Sequence, residues 1–230
     1  MPFRKRNYKE RENKETFNVE AWQPKTQLGR DVKAHKITSI EEIFHMGKPI
    51  QEPGIIDALL PNIESEVIEI ASTQRATKNG RKQKFRATVI VGDGNGHVGV
   101  GSGKDIEVKA AITSAVVSAK RNVIPVILGC GSWQCLCGTK HSMPFKIDGR
   151  CGSVKVVLKP APRGIGIVAS GPVRKLLTLA GVKDAWSFSR GRTKAKYNTM
   201  VAAYGALNSM NNMKNIEIKK DEHQDKEMIA

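Results

Sequence analysis

The densest patterning in this chain lies between Phe85 and Arg121. Ala87 to Val91 is an apolar run of strand length; a Gly/Asp/Asn cluster follows from Gly92 to Gly96, then a short strand from His97 to Gly101. Beyond Ser102-Gly103, Val108, Ala111, Ile112, Ala115 and Ala119 recur at helical spacing. One face of a helix opening near Asp105 therefore packs on the sheet. Upstream, Glu66 to Ser72 predicts a strand carried by Val67, Ile68 and Ile70. Asn79-Gly80, inside Gln74 to Lys84, predicts a hairpin with a type I′ turn. Helix, three antiparallel strands and helix is thus the order expected of a first unit.

Two short helices lead into it. Ser39-Ile-Glu-Glu42 is a capping box that opens a helix through Phe44 and Met46. Pro53-Gly54 starts another, with Ile55, Ile56, Leu59 and Leu60 on its apolar side and a stop before Pro61. A second unit begins after Ile124-Pro125. Pro144 to Ile147 and Gly152 to Leu158 predict strands joined by Asp148 to Cys151. Gly171-Pro172 opens a helix with the stripe Val173, Leu176, Leu177 and Ala180 and with Gly181 as its stop. A strand at Ala185 to Phe188 precedes a last helix, Thr193 to Asn208, striped by Tyr197, Met200, Val201, Tyr204 and Leu207. The expected organisation is an extended basic arm over 1–35, a first domain over 36–124, a second over 125–210 and a mixed-charge tail over 211–230.

Charge changes this picture from a fold to a partner. The 230 residues carry a net charge of +16. Between Val108 and Ile216 there are 17 Lys or Arg and only two acids, Asp148 and Asp184. A solvated surface normally mixes signs, so this excess points to a polyanion. The candidate phosphate contacts are Arg75, Lys78, Arg81, Lys82, Lys84 and Arg86 on the hairpin, and Arg150 and Arg163 in the second unit. Arg174 and Lys175 at a helix start, and Arg190, Arg192, Lys194 and Lys196 before the last helix, complete the set. Trp133 and Trp186 are few for single-strand stacking, which favours phosphate-backbone and shape recognition over base readout. No apolar run approaches the ~18 residues of a membrane span, and the charged N-terminus lacks the apolar stretch of a signal peptide. A cytoplasmic or nuclear protein is expected.

Enzymatic and metal motifs fail on inspection. Gly94-x-Gly96-x-x-Gly99 matches a dinucleotide fingerprint by letters, but these glycines sit in a hairpin and precede a strand. They are expected to serve a tight turn instead. Gly101-Ser-Gly103-Lys104 resembles the end of a P-loop, yet Val98 and Asp105 stand where glycine and Ser/Thr are required. Pro160-Ala-Pro-Arg-Gly164-Ile-Gly166-Ile-Val-Ala169 resembles the phosphate loop of the galactokinase–homoserine kinase superfamily, with Ile167 and Val168 in place of its serines. Residues 149–183 contain no acid that could serve as base or metal ligand. The cysteines, Cys130, Cys135, Cys137 and Cys151, are too sparse for a disulfide scaffold. With His141 between the third and fourth, they do not form paired C-x-x-C motifs, so no metal and no cofactor is expected.

Leu28-Gly-Arg30-x-Val32, the string from Val89 to Gly99, Gly149-Arg-Cys-Gly-Ser153-Val, the Pro160 to Val168 loop and Leu176-Leu-x-x-Ala-Gly181 occur in this order. Together they resemble the small-subunit ribosomal protein S5 family in its archaeal–eukaryotic form, over about residues 22–210. The segment Gly129 to Pro144 resembles the insertion that separates that form from the bacterial one. The resemblance implies an α+β protein of two domains. The first is double-stranded-RNA-binding-like, a three-stranded antiparallel sheet with helices; the second is an α/β sandwich of the S5 second-domain type. It also implies a structural, non-enzymatic constituent of the small ribosomal subunit that binds ribosomal RNA and supports translation and decoding fidelity. The expected place is beside the channel through which messenger RNA (mRNA) enters, among neighbouring small-subunit proteins, with nucleolar or nuclear passage during assembly. No membrane and no small-molecule substrate is expected. A free-standing RNA-binding regulator and an enzyme of the kinase superfamily are the competing readings.

Overall fold

Seven residues with only two apolar anchors, Leu28 and Val32, suffice for a helix because its N-terminus is capped twice. In the computed structural model, which describes residues 22–135 and 137–211, α1 runs over Gln27–Lys33. The Thr26 hydroxyl accepts from the Gly29 N–H, and the Glu52 carboxylate accepts from the N–H groups of Lys25 and Thr26. The expected arm over 1–35 is corrected for its last third: Leu28 and Val32 are buried in a core with Ile40, Ile43, Ile55 and Ile56. Residues 1–21 and 212–230 lie outside the described residues.

The chain divides into two units, one of residues up to Asp93 plus Val98–Val123, the other of Gly94–His97 and the residues from Ile124 on. In the first, α2 (Ile40–Met46) opens on Ser39, whose hydroxyl accepts from the Glu41 N–H, and α3 (Pro53–Leu59) opens on proline. Ile43, Ile55 and Ile56 are fully enclosed, each burial contributing about 1.5–3 kcal/mol relative to exposure. Strands β1 (Glu64–Thr77) and β2 (Gly80–Gly92) form a long antiparallel ribbon, and β3 (His97–Asp105) pairs with β2. Helix α4 (Val108–Arg121) lies on β2 and packs Ala111, Ala115 and Ala119 against Ala87, Val89 and Val91. A fourth strand that patterning does not reveal, β4 (Val123–Pro125), makes the sheet order β1-β2-β3-β4. At three residues it is too short to carry an alternation.

The alanine face of α4 sits on a glycine strand. A Cβ at Gly99, Gly101 or Gly103 would fall inside the backbone of Ala119, Ala115 or Ala111. The tight-turn role expected of Gly99 is corrected: it lies within β3, and its lack of a side chain serves close approach of helix to sheet. The turn glycines are Gly94 and Gly96, with φ of 74° and 103°. At the ribbon tip the expected type I′ turn is also corrected. Thr77 pairs with Gly80, so Lys78 and Asn79 are the middle residues, and Gly80 alone at the tip takes positive φ, 113°. A type I turn completed by a left-handed glycine spares Asn79 that conformation.

In the second unit β5 (Ile147–Cys151) and β6 (Val154–Pro160) are joined by Gly152-Ser153, with Gly152 at φ 58°. Asp148 to Cys151, expected as the connection, are strand residues. The two-residue turn needs glycine first, which Gly152 supplies. β7 (Ile167–Val168), α5 (Gly171–Leu179) and β8 (Ala185–Arg190) follow, and the sheet order is β5-β6-β8-β7 with β7 parallel to β8. Helix α6 runs over Lys196–Asn211, not Thr193–Asn208. Its buried face combines Met200 and Leu207 with Ala202, Ala203 and Ala206, while Tyr197, Val201 and Tyr204 are only partly covered. Gly149 explains that shift: a Cβ there would strike the Ala202 carbonyl and the Ala206 amide, so small residues must face the sheet.

Candidate nucleic-acid interface

Strand pairing sorts the basic residues onto faces. Arg75 stands opposite Lys82, Thr73 opposite Lys84, Ala71 opposite Arg86, and Arg86 in turn opposite Lys104. Directly opposed residues share a face, so Arg75, Lys82, Lys84, Arg86 and Lys104 lie together. They are on the side away from α4, which packs on the odd-numbered β2 residues Ala87, Val89 and Val91. Thr73, Arg75, Thr77, Lys82, Lys84 and Lys104 line one shallow concavity there. Arg81 points to the other face, opposite Ala76, and Lys78 is in the turn. Among the described residues, Arg75, Lys78, Arg81, Lys82 and Lys84 are exposed and none is in an ion pair. Lys104 is hidden in the sequence because it resembles the end of a P-loop; the pairing register alone reveals it.

On the second sheet Arg150, Lys155 and Arg190 stand side by side on three adjacent strands. Like charges directly opposed cost stability, and the nearest compensation is Asp148, 2.7 Å from Lys155, which holds the Asp148 carboxyl below its ordinary pKa. The same face carries Lys159 stacked 4.9 Å over the Phe188 ring, itself 55% exposed. This side is opposite α6, which covers Gly149. Arg192, Lys194 and Lys196 are exposed between β8 and the start of α6.

The Gly-rich loop is closed from within. The N–H groups of Gly164 and Gly166 donate to one oxygen of Asp184 at 3.1 and 2.7 Å. Burial alone would raise the Asp184 pKa, but the Gly166 N–H, the His141 ring and the Gly164 N–H outweigh it and hold the carboxyl below its usual range. An internal carboxylate thus takes the donors that a kinase-type loop offers to phosphate. Arg163 and Arg174 nearby are exposed and Lys175 is half-buried.

The insertion between β4 and β5 holds a cluster that cysteine spacing does not predict. The sulfurs of Cys130, Cys135 and Cys137 and a ring nitrogen of His141 all lie within 4.8 Å of one another, and Cys151 is not among them. The expectation of no metal-ligating set rests on linear spacing. The loop folds back through paired Gly129 and Ser142, so that spacing does not measure the separations. Trp133, in the same loop, is 87% exposed. No helix of the described residues is long and apolar enough to cross a membrane.

Two α+β units, each with a basic sheet face, are the architecture of a structural, non-enzymatic RNA-associated protein. A sequence model of the ribosomal protein S5 N-terminal domain matches residues 63–127, and that of the S5 C-terminal domain matches residues 149–221. The small ribosomal subunit protein uS5 of Methanococcus maripaludis is 52% identical over 201 residues, covering 87% of this chain and 89% of that protein. The uS5 of Methanocaldococcus jannaschii is 48% identical over 205 residues, covering 89% and 94%. That of Aeropyrum pernix is 50% identical over 190 residues, covering 83% and 87%. The chain belongs to the ribosomal protein S5 family.

Proposed function

We propose that this protein is built into the small ribosomal subunit by two basic surfaces that grip ribosomal RNA phosphates. One is the ribbon face of Arg75, Lys82, Lys84, Arg86 and Lys104; the other is the ladder Arg150, Lys155 and Arg190 with the loop Arg192 to Lys196. The chain is a structural ribosomal constituent and not an enzyme. The observation that carries the RNA-binding reading is the ribbon: it projects exposed cations, Arg75, Lys82 and Lys84 among them, that no described acid pairs with. Folding alone gives no reason to keep such charges together, and a phosphate backbone gives one.

Lys78 and Arg81 at the ribbon tip, and Arg163, Arg174 and Lys175 beside the closed Gly-rich loop, extend these surfaces. ATP is not the partner of that loop, because Asp184 already accepts from Gly164 and Gly166. A position beside the channel by which mRNA enters, next to other small-subunit proteins, completes the proposal; mRNA crosslinks to the ribbon or to Arg192–Lys196 would support it. Nuclear assembly would apply only in a nucleated cell.

The test is the salt dependence of binding to small-subunit RNA. Replacing Arg75, Lys82 and Lys84 together by Ala should lower the slope of log K against log salt by about 2–3 units, close to one per lost phosphate contact. An unchanged slope would show that the ribbon does not touch RNA.

A further inference from the structure

We propose that Cys130, Cys135, Cys137 and His141 form a structural zinc site that pins the insertion between β4 and β5. Cys130 Sγ is 3.5 Å from Cys137 Sγ and 3.4 Å from His141 Nε2, and Cys135 Sγ is 3.7 Å from the same Nε2. A tetrahedral zinc, with bonds of about 2.3 Å to sulfur and about 2.0 Å to nitrogen, sets neighbouring donors about 3.5–3.8 Å apart. These three spacings match edges of a zinc-centred tetrahedron, and all four donor atoms lie within 4.8 Å of one another. They are far too long for a formed disulfide, which would also use only two of the three sulfurs.

The surroundings carry the features of a ligand shell. His141 Nδ1 lies 2.8 Å from a carboxylate oxygen of Asp184, with both side chains only 6% exposed. A carboxylate behind a histidine fixes the ring so that its other nitrogen presents a lone pair to a metal. Asp184 is itself anchored by the Gly164 and Gly166 N–H groups. The Thr139 hydroxyl donates to Cys137 Sγ at 3.2 Å. Backbone bonds hold the base of the loop: Gly129 and Ser142 exchange N–H donors at 2.8 and 2.9 Å, and Gly131 N–H reaches the Met143 carbonyl at 3.1 Å.

The fold supplies the reason for a clip. Among the described residues between β4, ending at Pro125, and β5, starting at Ile147, there is no helix or strand beyond that single bridge. Structureless connections longer than about 12–15 residues are uncommon within a folded unit unless something ties them down. Zinc would do so, displacing three thiol protons, keeping His141 neutral and leaving a site of net charge −1.

The test uses the full-length chain, produced with zinc and desalted. The expected result is one zinc per chain by elemental analysis, retained in Cys151→Ser and lost in Cys130→Ser and Cys137→Ser. Asp184→Asn should weaken zinc affinity by about 10–100-fold, as expected for a residue that orients a ligand. Because a cysteine variant can lose metal by failing to fold, the metal-stripped wild-type chain is also titrated with cobalt(II). A thiolate-to-cobalt charge-transfer band with tetrahedral d–d bands, abolished by zinc, would support the site. Cobalt spectra without thiolate character, zinc content equal in wild type and Cys130→Ser, or a Cys130–Cys137 disulfide in the purified chain would each overturn it.

Discussion

In the first unit three glycines, Gly99, Gly101 and Gly103, let the alanine face of α4 rest on β3; in the second, Gly149 lets Ala202 and Ala206 of α6 rest on β5. The same packing device leaves the charge in different places. The ribbon β1–β2 runs on beyond the helix that covers it, so Arg75, Lys82 and Lys84 stand exposed on two strands with no core beneath. In the second sheet α6 covers β5 and β6, and the cations form a ladder on the open face, partly offset by Asp148. Helix-side glycines thus carry the packing of each unit, and the proposed RNA contacts lie on the opposite faces.

The packing half of that comparison predicts the largest effect. Gly101→Ala should destabilise the first unit by about 3 kcal/mol or more, since its Cβ would meet the backbone of Ala119 and Ala115, which cannot move aside like a side chain. Chemical denaturation with a probe in each unit checks this. A loss under about 0.5 kcal/mol would mean that the helix does not sit where the glycines place it. Next comes the ladder. Arg150, Lys155 and Arg190 changed together to Ala should lower the salt slope of RNA binding by about 2–3 units, and the loss should add to that of the ribbon variant. Non-additive losses would merge the two surfaces into one.

A smaller effect distinguishes the cap of α1. Burial pushes the Glu52 pKa up, but the Thr26 N–H and hydroxyl and the Lys25 N–H outweigh it, so the folded carboxyl titrates below its ordinary value. A depressed folded pKa gives stability that is complete above the unfolded value, about 4.3, and is lost as pH falls through the folded value. Glu52→Gln should therefore lower Tm at neutral pH, and wild type and variant should converge in strong acid. A gap that persists there would assign the loss to shape instead of charge. The smallest effect is stabilising. Gly205 lies on the exposed side of α6, and an added Cβ there would meet open space, so Ala should be accepted with a gain of about 0.5–1 kcal/mol. A loss there would show that α6 packs through Gly205 as β5 packs through Gly149.

Much of this is legible in the sequence because it rests on local spacing: the Ala111, Ala115 and Ala119 face, the Ser39 cap, Pro172 opening α5 and Gly181 ending it. What escapes depends on partners far along the chain. Alanines carry little hydrophobic signal, so the large residues of α6 point to the wrong face until Gly149, far upstream, is placed beneath it. Lys104 joins the ribbon face only through its register with Arg86. The His141–Asp184 contact spans 43 positions, and the three sulfurs converge only because Gly129 meets Ser142.

The central claim is that the ribbon and ladder faces lie against RNA in the assembled subunit, and lysine acetylation read by mass spectrometry tests it most directly. Lys82, Lys84, Lys104 and Lys155 should react readily in the free chain and be strongly protected in the small subunit. Equal acetylation of these lysines in the free and assembled protein would contradict the account.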